Sequence, residues 1–114
     1  MDQSHIDALR HVEIAPQKLF IDGSWQEASG EAFDVLSPID GQKLTTIEGA
    51  TAPDVERAVA AARRAFEDGR WRDMPPAGRK KVLHKIADLI EQYALELTVL
   101  GVRDNGTEFN MALK

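Results

Sequence analysis

Apolar residues recur at helical spacing through the second half of the chain, whereas the first half carries short runs broken by turn residues. Val55, Val59, Ala62 and Phe66 stand at i, i+4, i+7 and i+11, one stripe of an amphipathic helix. Thr51-Ala52-Pro53-Asp54 supplies a helix start, with an acid three residues after a threonine and proline in the first turn. Asp68-Gly69 supplies the stop, so a helix is predicted over about 52–67. Trp71 and Met74 fall in a loop closed by Pro75-Pro76. Beyond it Val82, Ile86, Leu89, Ile90, Tyr93, Leu97 and Leu100 keep helical spacing as far as Asn105-Gly106. This predicts two consecutive helices, or one with a kink, over about 77–104, and Thr107 is placed to cap a last short helix.

Earlier in the chain, Lys18-Leu19-Phe20-Ile21 and the segment from Ser24-Trp25 flank Asp22-Gly23, a pair suited to a tight hairpin turn. Phe33-Asp34-Val35-Leu36 and Lys43-Leu44-Thr45-Thr46-Ile47 flank a second turn, Ser37-Pro38-Ile39-Asp40-Gly41. The expected fold class is α+β: a small antiparallel β meander over about 18–47 followed by two or three helices. Val55, Val59, Phe66, Leu83, Ile86, Leu89, Ile90, Leu97 and Leu100 are expected to form most of the core. Residues 1–16 read as an N-terminal lead-in, and 17–114 as one continuous structural unit without repeats or low-complexity tracts.

With 114 residues, 43% hydrophobic and 29% charged, the chain has material for one modest core. Its cysteine count is zero, which removes disulfides, thiolate metal sites and cysteine nucleophiles from these residues. The longest apolar runs are a few residues, so no signal peptide or membrane span is expected and the cytoplasm is the default. The net charge of −5 is unevenly spread: residues 1–50 hold nine acids and three bases, residues 51–90 six acids and nine bases. Arg79, Lys80, Lys81 and Lys85 fall on the polar side of a helix without interleaved aromatic rings, so they read as a solvated face and no nucleic-acid partner is expected.

Motifs with chemistry are absent: no GxGxxG, GxxxxGK[ST], HExxH or GxSxG occurs. His5, His11 and His84 are too scattered for a metal set, and His84 is expected on the surface, as are the carboxylates of Glu13, Glu27 and Glu31. Ser24, Ser29, Ser37, Thr45 and Thr46 have no histidine at a spacing that would activate them.

The order of segments nevertheless resembles a known family. LFIDGSW at 19–25, FDVLSPIDGQKLTTI at 33–47, DVERAVAAARRAFEDGRW at 54–71, PAGRKKVLHKIADLIEQYALEL at 76–97 and RDNG at 103–106 are similar to the N-terminal region of NAD(P)-dependent aldehyde dehydrogenases. The likeness runs from about residue 17 to the last residue, and within the family it is nearest to the branch that oxidises γ-glutamylaminobutyraldehyde in polyamine catabolism. It implies an N-terminal fragment of the α/β aldehyde dehydrogenase fold, cut before the nucleotide-binding sheet. The cofactor turn, the glutamate base, the oxyanion asparagine and the cysteine nucleophile would all lie downstream. The resemblance therefore implies no catalytic and no cofactor-binding residue here, and NAD or NADP used by the parent enzyme but not bound by this chain alone.

Relatives also hold a sodium or potassium ion near this region. The matching positions are the backbone carbonyls of Val35 and Leu36 and the carboxylate of Asp104, oxygen donors of the kind hard cations prefer. Two departures stand out: Gly101 where relatives usually carry an acid, and Thr107-Glu108 where they often carry lysine and proline. The implied partner is the remainder of an aldehyde dehydrogenase or a homologous subunit of a homo-oligomer, against which Leu95, Val99, Phe109, Met111 and Leu113 would be left open. The other reading of the residues is a non-enzymatic interaction module that docks on a larger protein.

Overall fold

The computed structural model describes residues 3–113, in the order helix α1 (Gln3–Arg10), strands β1 (Leu19–Ile21), β2 (Ser24–Gln26), β3 (Phe33–Leu36) and β4 (Lys43–Ile47), then helices α2 (Ala52–Glu67), α3 (Pro76–Gln92), α4 (Ala94–Asn105) and α5 (Phe109–Ala112). The fold is α+β, with antiparallel strand pairs preceding the main helices. The β meander over 18–47 resolves into two separate hairpins, β1 with β2 and β3 with β4, which do not join into one sheet.

Turn chemistry explains both. Asp22 and Gly23 take positive φ angles of 53° and 76°, the mirror-image turn whose twist suits a two-residue hairpin. Phe20 faces Trp25 across it with ring centroids 5.0 Å apart. In the second hairpin the Gly41 N–H closes back onto the Ser37 carbonyl at 2.8 Å, with Gly41 at φ 73°.

The first long helix keeps its predicted bounds, and the prolyl start and glycine-containing stop do what their chemistry dictates. The second prediction resolves into two helices that break at Tyr93 (φ −106°, ψ 18°). Gly106, left-handed at φ 74°, ends α4. The cap of the last helix is Glu108 rather than Thr107, whose N–H is taken by the Asn105 side chain at 2.8 Å. The lead-in contains a helix, α1, that its sparse apolar pattern did not announce; it rests on α4.

Asp54 is the most deeply buried side chain among the described residues, and it is charged. Its Oδ2 accepts from the N–H groups of Thr51 (2.8 Å) and Ser29 (3.0 Å) and from the Ser29 hydroxyl (2.7 Å), while Arg57 Nη1 lies 2.8 Å from Oδ1. The sequence pattern identified its capping role; the contacts with Ser29 also tie the hairpin region to α2. The Thr51 N–H, then the Ser29 N–H and hydroxyl, hold the Asp54 carboxyl well below the usual aspartate range. A carboxylate depressed in the folded state stabilises it above its unfolded value of about 3.9 and loses that contribution as the pH falls below it. The melting temperature is therefore expected to drop on acidification below about pH 4. Asp54→Asn should melt lower at neutral pH and show a shallower acid dependence. Equal acid slopes for the two proteins would refute this assignment.

The core differs most from expectation. Val55, Val59, Phe66, Leu83, Ile86, Leu89, Ile90, Leu97 and Leu100 are all exposed, by 38% to 61%. What α2 buries is the stripe one residue behind the predicted one: Asp54 and Ala61 are buried, and Ala58 and Ala65 are half-buried. The small alanine face lies toward β1, and the bulky face looks outward. None of the residues of α3, all of them described, is buried. Val99, expected in the open face, is instead 4% exposed, because α1 rests on α4. Met111 and Leu113 are exposed as expected, and Leu95 and Phe109 are half-buried.

The shape reflects this. The radius of gyration is 17.7 Å and the extents are 46 × 39 × 18 Å, against about 13 Å for a compact chain of this length. The accessible surface is 8601 Å², against about 6,200 Å² for a compact monomer of this mass.

Candidate functional site

The β3–β4 hairpin, the segment ahead of β1 (Ile14 and Gln17) and α4 meet around a cavity of about 430 Å³. β3 brings Val35 to it, β4 brings Leu44, Thr45 and Ile47, and the end of α4 brings Gly101 and Asp104. Val35 and Asp104, two of the three expected cation positions, thus line one cavity from elements separated by nearly 70 residues of chain. Leu36 is next along β3 and exposed, and it is not among the lining residues. A register shift between Val35 and Leu36, where Val35 pairs with Thr45 and Leu36 with Lys43, irregularises the ladder at the two expected carbonyls. Gly101 opens the same cavity: a Cβ built on it meets nothing within 4 Å.

The donor chemistry is limited to oxygen. Among the described residues no group of three or more His, Cys, Asp or Glu could hold a metal ion. One carboxylate with backbone carbonyls suits a weakly held hard cation, not a transition metal.

A second cavity, of about 570 Å³, lies between α1, α4 and the turn after β3, with Arg10, His11, Asp40 and Arg103 among its polar lining. The histidines do not converge: His5, His11 and His84 are all exposed, His84 as expected. Arg79 donates to the Arg72 carbonyl, and Lys80, Lys81 and Lys85 are exposed, which fits a solvated face.

Hydroxyl groups serve the framework. Ser24 Oγ donates to the Ile21 carbonyl and Thr45 Oγ1 to the Ala15 carbonyl, Ser29 Oγ is held by Asp54, and Ser37 Oγ accepts from the Ile39 N–H. The Ser29–Asp54 pair contains no histidine, and its buried carboxylate is engaged with backbone donors. It has the chemistry of a structural clasp. No helix among the described residues is long and apolar enough to cross a membrane.

Known proteins share both sequence and shape with this chain. The profile described as the aldehyde dehydrogenase family matches residues 25–114. An aminoacetaldehyde dehydrogenase of Pseudomonas aeruginosa is 47% identical over 92 residues, 80% of this chain and 18% of that protein. The crystal structure of an indole-3-acetaldehyde dehydrogenase in apo form superposes with a TM-score of 0.88 at 35% identity, covering 99% of this chain and 26% of that one. A betaine aldehyde dehydrogenase from Staphylococcus aureus in complex with NAD+ superposes with a TM-score of 0.82 at 32% identity, covering 96% of this chain and 22% of that one. The chain spans between 11% and 19% of the length of the curated relatives it matches.

Proposed function

The chain belongs to the aldehyde dehydrogenase family, and from that premise we propose that it serves as the N-terminal part of an NAD(P)-dependent enzyme that oxidises aldehydes to carboxylic acids, inactive until joined to the rest. The observation that carries this reading is the pairing of a family match over residues 25–114 with bulky side chains of α2, α3 and α4 left open to solvent. Apolar surface of this extent calls for a covering partner, and the remaining four-fifths of such an enzyme is the partner the match supports.

The cofactor and nucleophile belong to that remainder. A nicotinamide dinucleotide supplies hydride acceptance when bound; the present residues contribute a scaffold edge. We assign the substrate to the amino-aldehydes, the γ-glutamylaminobutyraldehyde type included, with support from a relative named for aminoacetaldehyde and a structural neighbour named for betaine aldehyde. Val35, Leu36 and Asp104 are assigned to a sodium or potassium ion, supported by the shared cavity of Val35 and Asp104 and the irregular ladder beside it.

A chimera tests the main reading. The matching 92-residue stretch of the Pseudomonas aeruginosa aminoacetaldehyde dehydrogenase is replaced by the corresponding residues of this chain. Most of the NAD-linked activity is expected to survive. A folded chimera without activity, together with a monomeric and cooperatively melting free chain, would instead favour the stand-alone interaction module.

A further inference from the structure

Helix α1 has eight residues, fewer than the roughly 12 to 15 that an isolated helix needs to persist in water. Its stability must come from what it rests on, which is α4. Ile6 and Leu9, three residues apart on one face, are its half-buried apolar anchors, and they are few. The polar pairs Gln3 with Asp7 and Arg10 with Asp7 lie within the helix and do not tether it.

A distant residue does. Arg103 Nη1 donates to the carbonyl of Leu9 at 3.3 Å and to that of Val12 at 2.8 Å, across 94 and 91 positions of sequence. The Leu9 carbonyl, in the last turn of α1, also accepts from the Val12 N–H at 3.3 Å, and the Val12 carbonyl lies two residues past the helix; a guanidinium donating to both pins the exit of α1, where the helix end carries partial negative charge. Behind the contact lies the cavity of about 570 Å³, walled by Ile6, Val99, Val102 and Phe109.

The geometry points to a latched strap: α1 closes over the Val99–Val102 face of α4, Arg103 is the latch, and α1 opens as a unit when the latch is removed while the hairpins and α2 stay folded. Opening converts the cavity wall into apolar surface. Helix α1 lies ahead of the segment that matches the family, residues 25–114, while its latch and seat lie within it; the test reads local opening and needs no enzyme activity.

Hydrogen exchange on the 114-residue chain, with Arg103→Gln and Arg103→Lys, reads the latch directly. In Arg103→Gln the amides of residues 7–12 are expected to exchange at least about tenfold faster, and trypsin to cut after Arg10 correspondingly faster, with the β1–β2 hairpin unchanged. An apolar dye such as anilinonaphthalene sulfonate should bind more strongly. Arg103→Lys, which keeps the charge but loses the planar fork, should fall between. Unchanged exchange in α1 would overturn the proposal. So would equal acceleration in the hairpin, since Arg103 would then hold the whole fold. Deletion of residues 1–13 provides the second arm: it should retain the hairpins and α2 and reproduce the dye binding of Arg103→Gln, and global melting of the deleted chain would show that α1 is no detachable strap.

Discussion

Supplied with NAD or NADP and γ-glutamylaminobutyraldehyde or aminoacetaldehyde, the purified 114-residue chain is expected to form no reduced nicotinamide, at least about 10⁶-fold below a complete enzyme. The family reaction begins with a thiolate attacking the aldehyde, passes hydride from the thiohemiacetal to the nicotinamide, and ends with hydrolysis of a thioester. These residues contain no cysteine. The candidate substitutes are committed elsewhere: Ser29 to Asp54, Ser24 and Thr45 to backbone carbonyls. No histidine stands beside any of these three in a hydrogen bond that would draw off a proton, and unactivated hydroxyls are poor nucleophiles at neutral pH. Absorbance of reduced nicotinamide gives the answer. A rate that scales with this chain and persists through purification from complete enzyme would overturn the proposed division of labour.

Gly49→Ala is expected to be the most damaging single-methyl change. A Cβ at residue 49 would lie 2.3 Å from the Glu31 carbonyl oxygen, and one at residue 30 would lie 2.4 Å from the Gly49 oxygen. Both obstacles are backbone, so no side chain can swing aside. The contact is tight because the Gly30 N–H donates to the Gly49 carbonyl at 2.9 Å, next to the Ser29, Thr51 and Asp54 cluster that joins the hairpins to α2. Overpacking of this kind costs about 1–3 kcal/mol or more, a large part of the stability of a chain with so small a core. Circular dichroism melting should show loss of most of the cooperative transition. Gly101→Ala is the control: it adds the same methyl in open space within a helix, and should leave the stability unchanged or raise it by up to about 1 kcal/mol, with the melting temperature following in the same direction. Gly49→Ala melting within about two degrees of the parent would refute the steric assignment.

Local chemistry was legible in the sequence, and the choice among faces was not. Asp22-Gly23, Gly106 and the Thr51–Asp54 start each act over a few residues, so the elements they define fall where the pattern put them. Helical periodicity, by contrast, says which residues share a stripe and nothing about which stripe is covered. Val55, Val59, Ala62 and Phe66 do share one, yet α2 packs through Asp54, Ala58, Ala61 and Ala65, because an alanine face allows close approach to β1. The bulky stripe was legible as apolar surface that asks for a cover, and within the described residues it is exposed. For the same reason α1 went unseen: QSHIDALR carries few apolar residues, and the group that holds its end is the distant Arg103. Of the expected cation positions, Val35 and Asp104 converge on one cavity, whereas the Ser29 contacts of Asp54 span 25 residues and carry no sequence signature.

The 94-residue reach from Leu9 to Arg103 also sets an order of events on the ribosome. Each hairpin closes over a short turn as soon as its second strand emerges, and α2 can dock on β1 soon after. Helix α1 leaves the ribosome first but has no latch until residue 103 has been made. At about 5–20 residues per second that interval is roughly 5 to 19 s. For that time Ile6 and Leu9 are open to chaperones and to other nascent chains, because they are made long before the α4 residues that cover them.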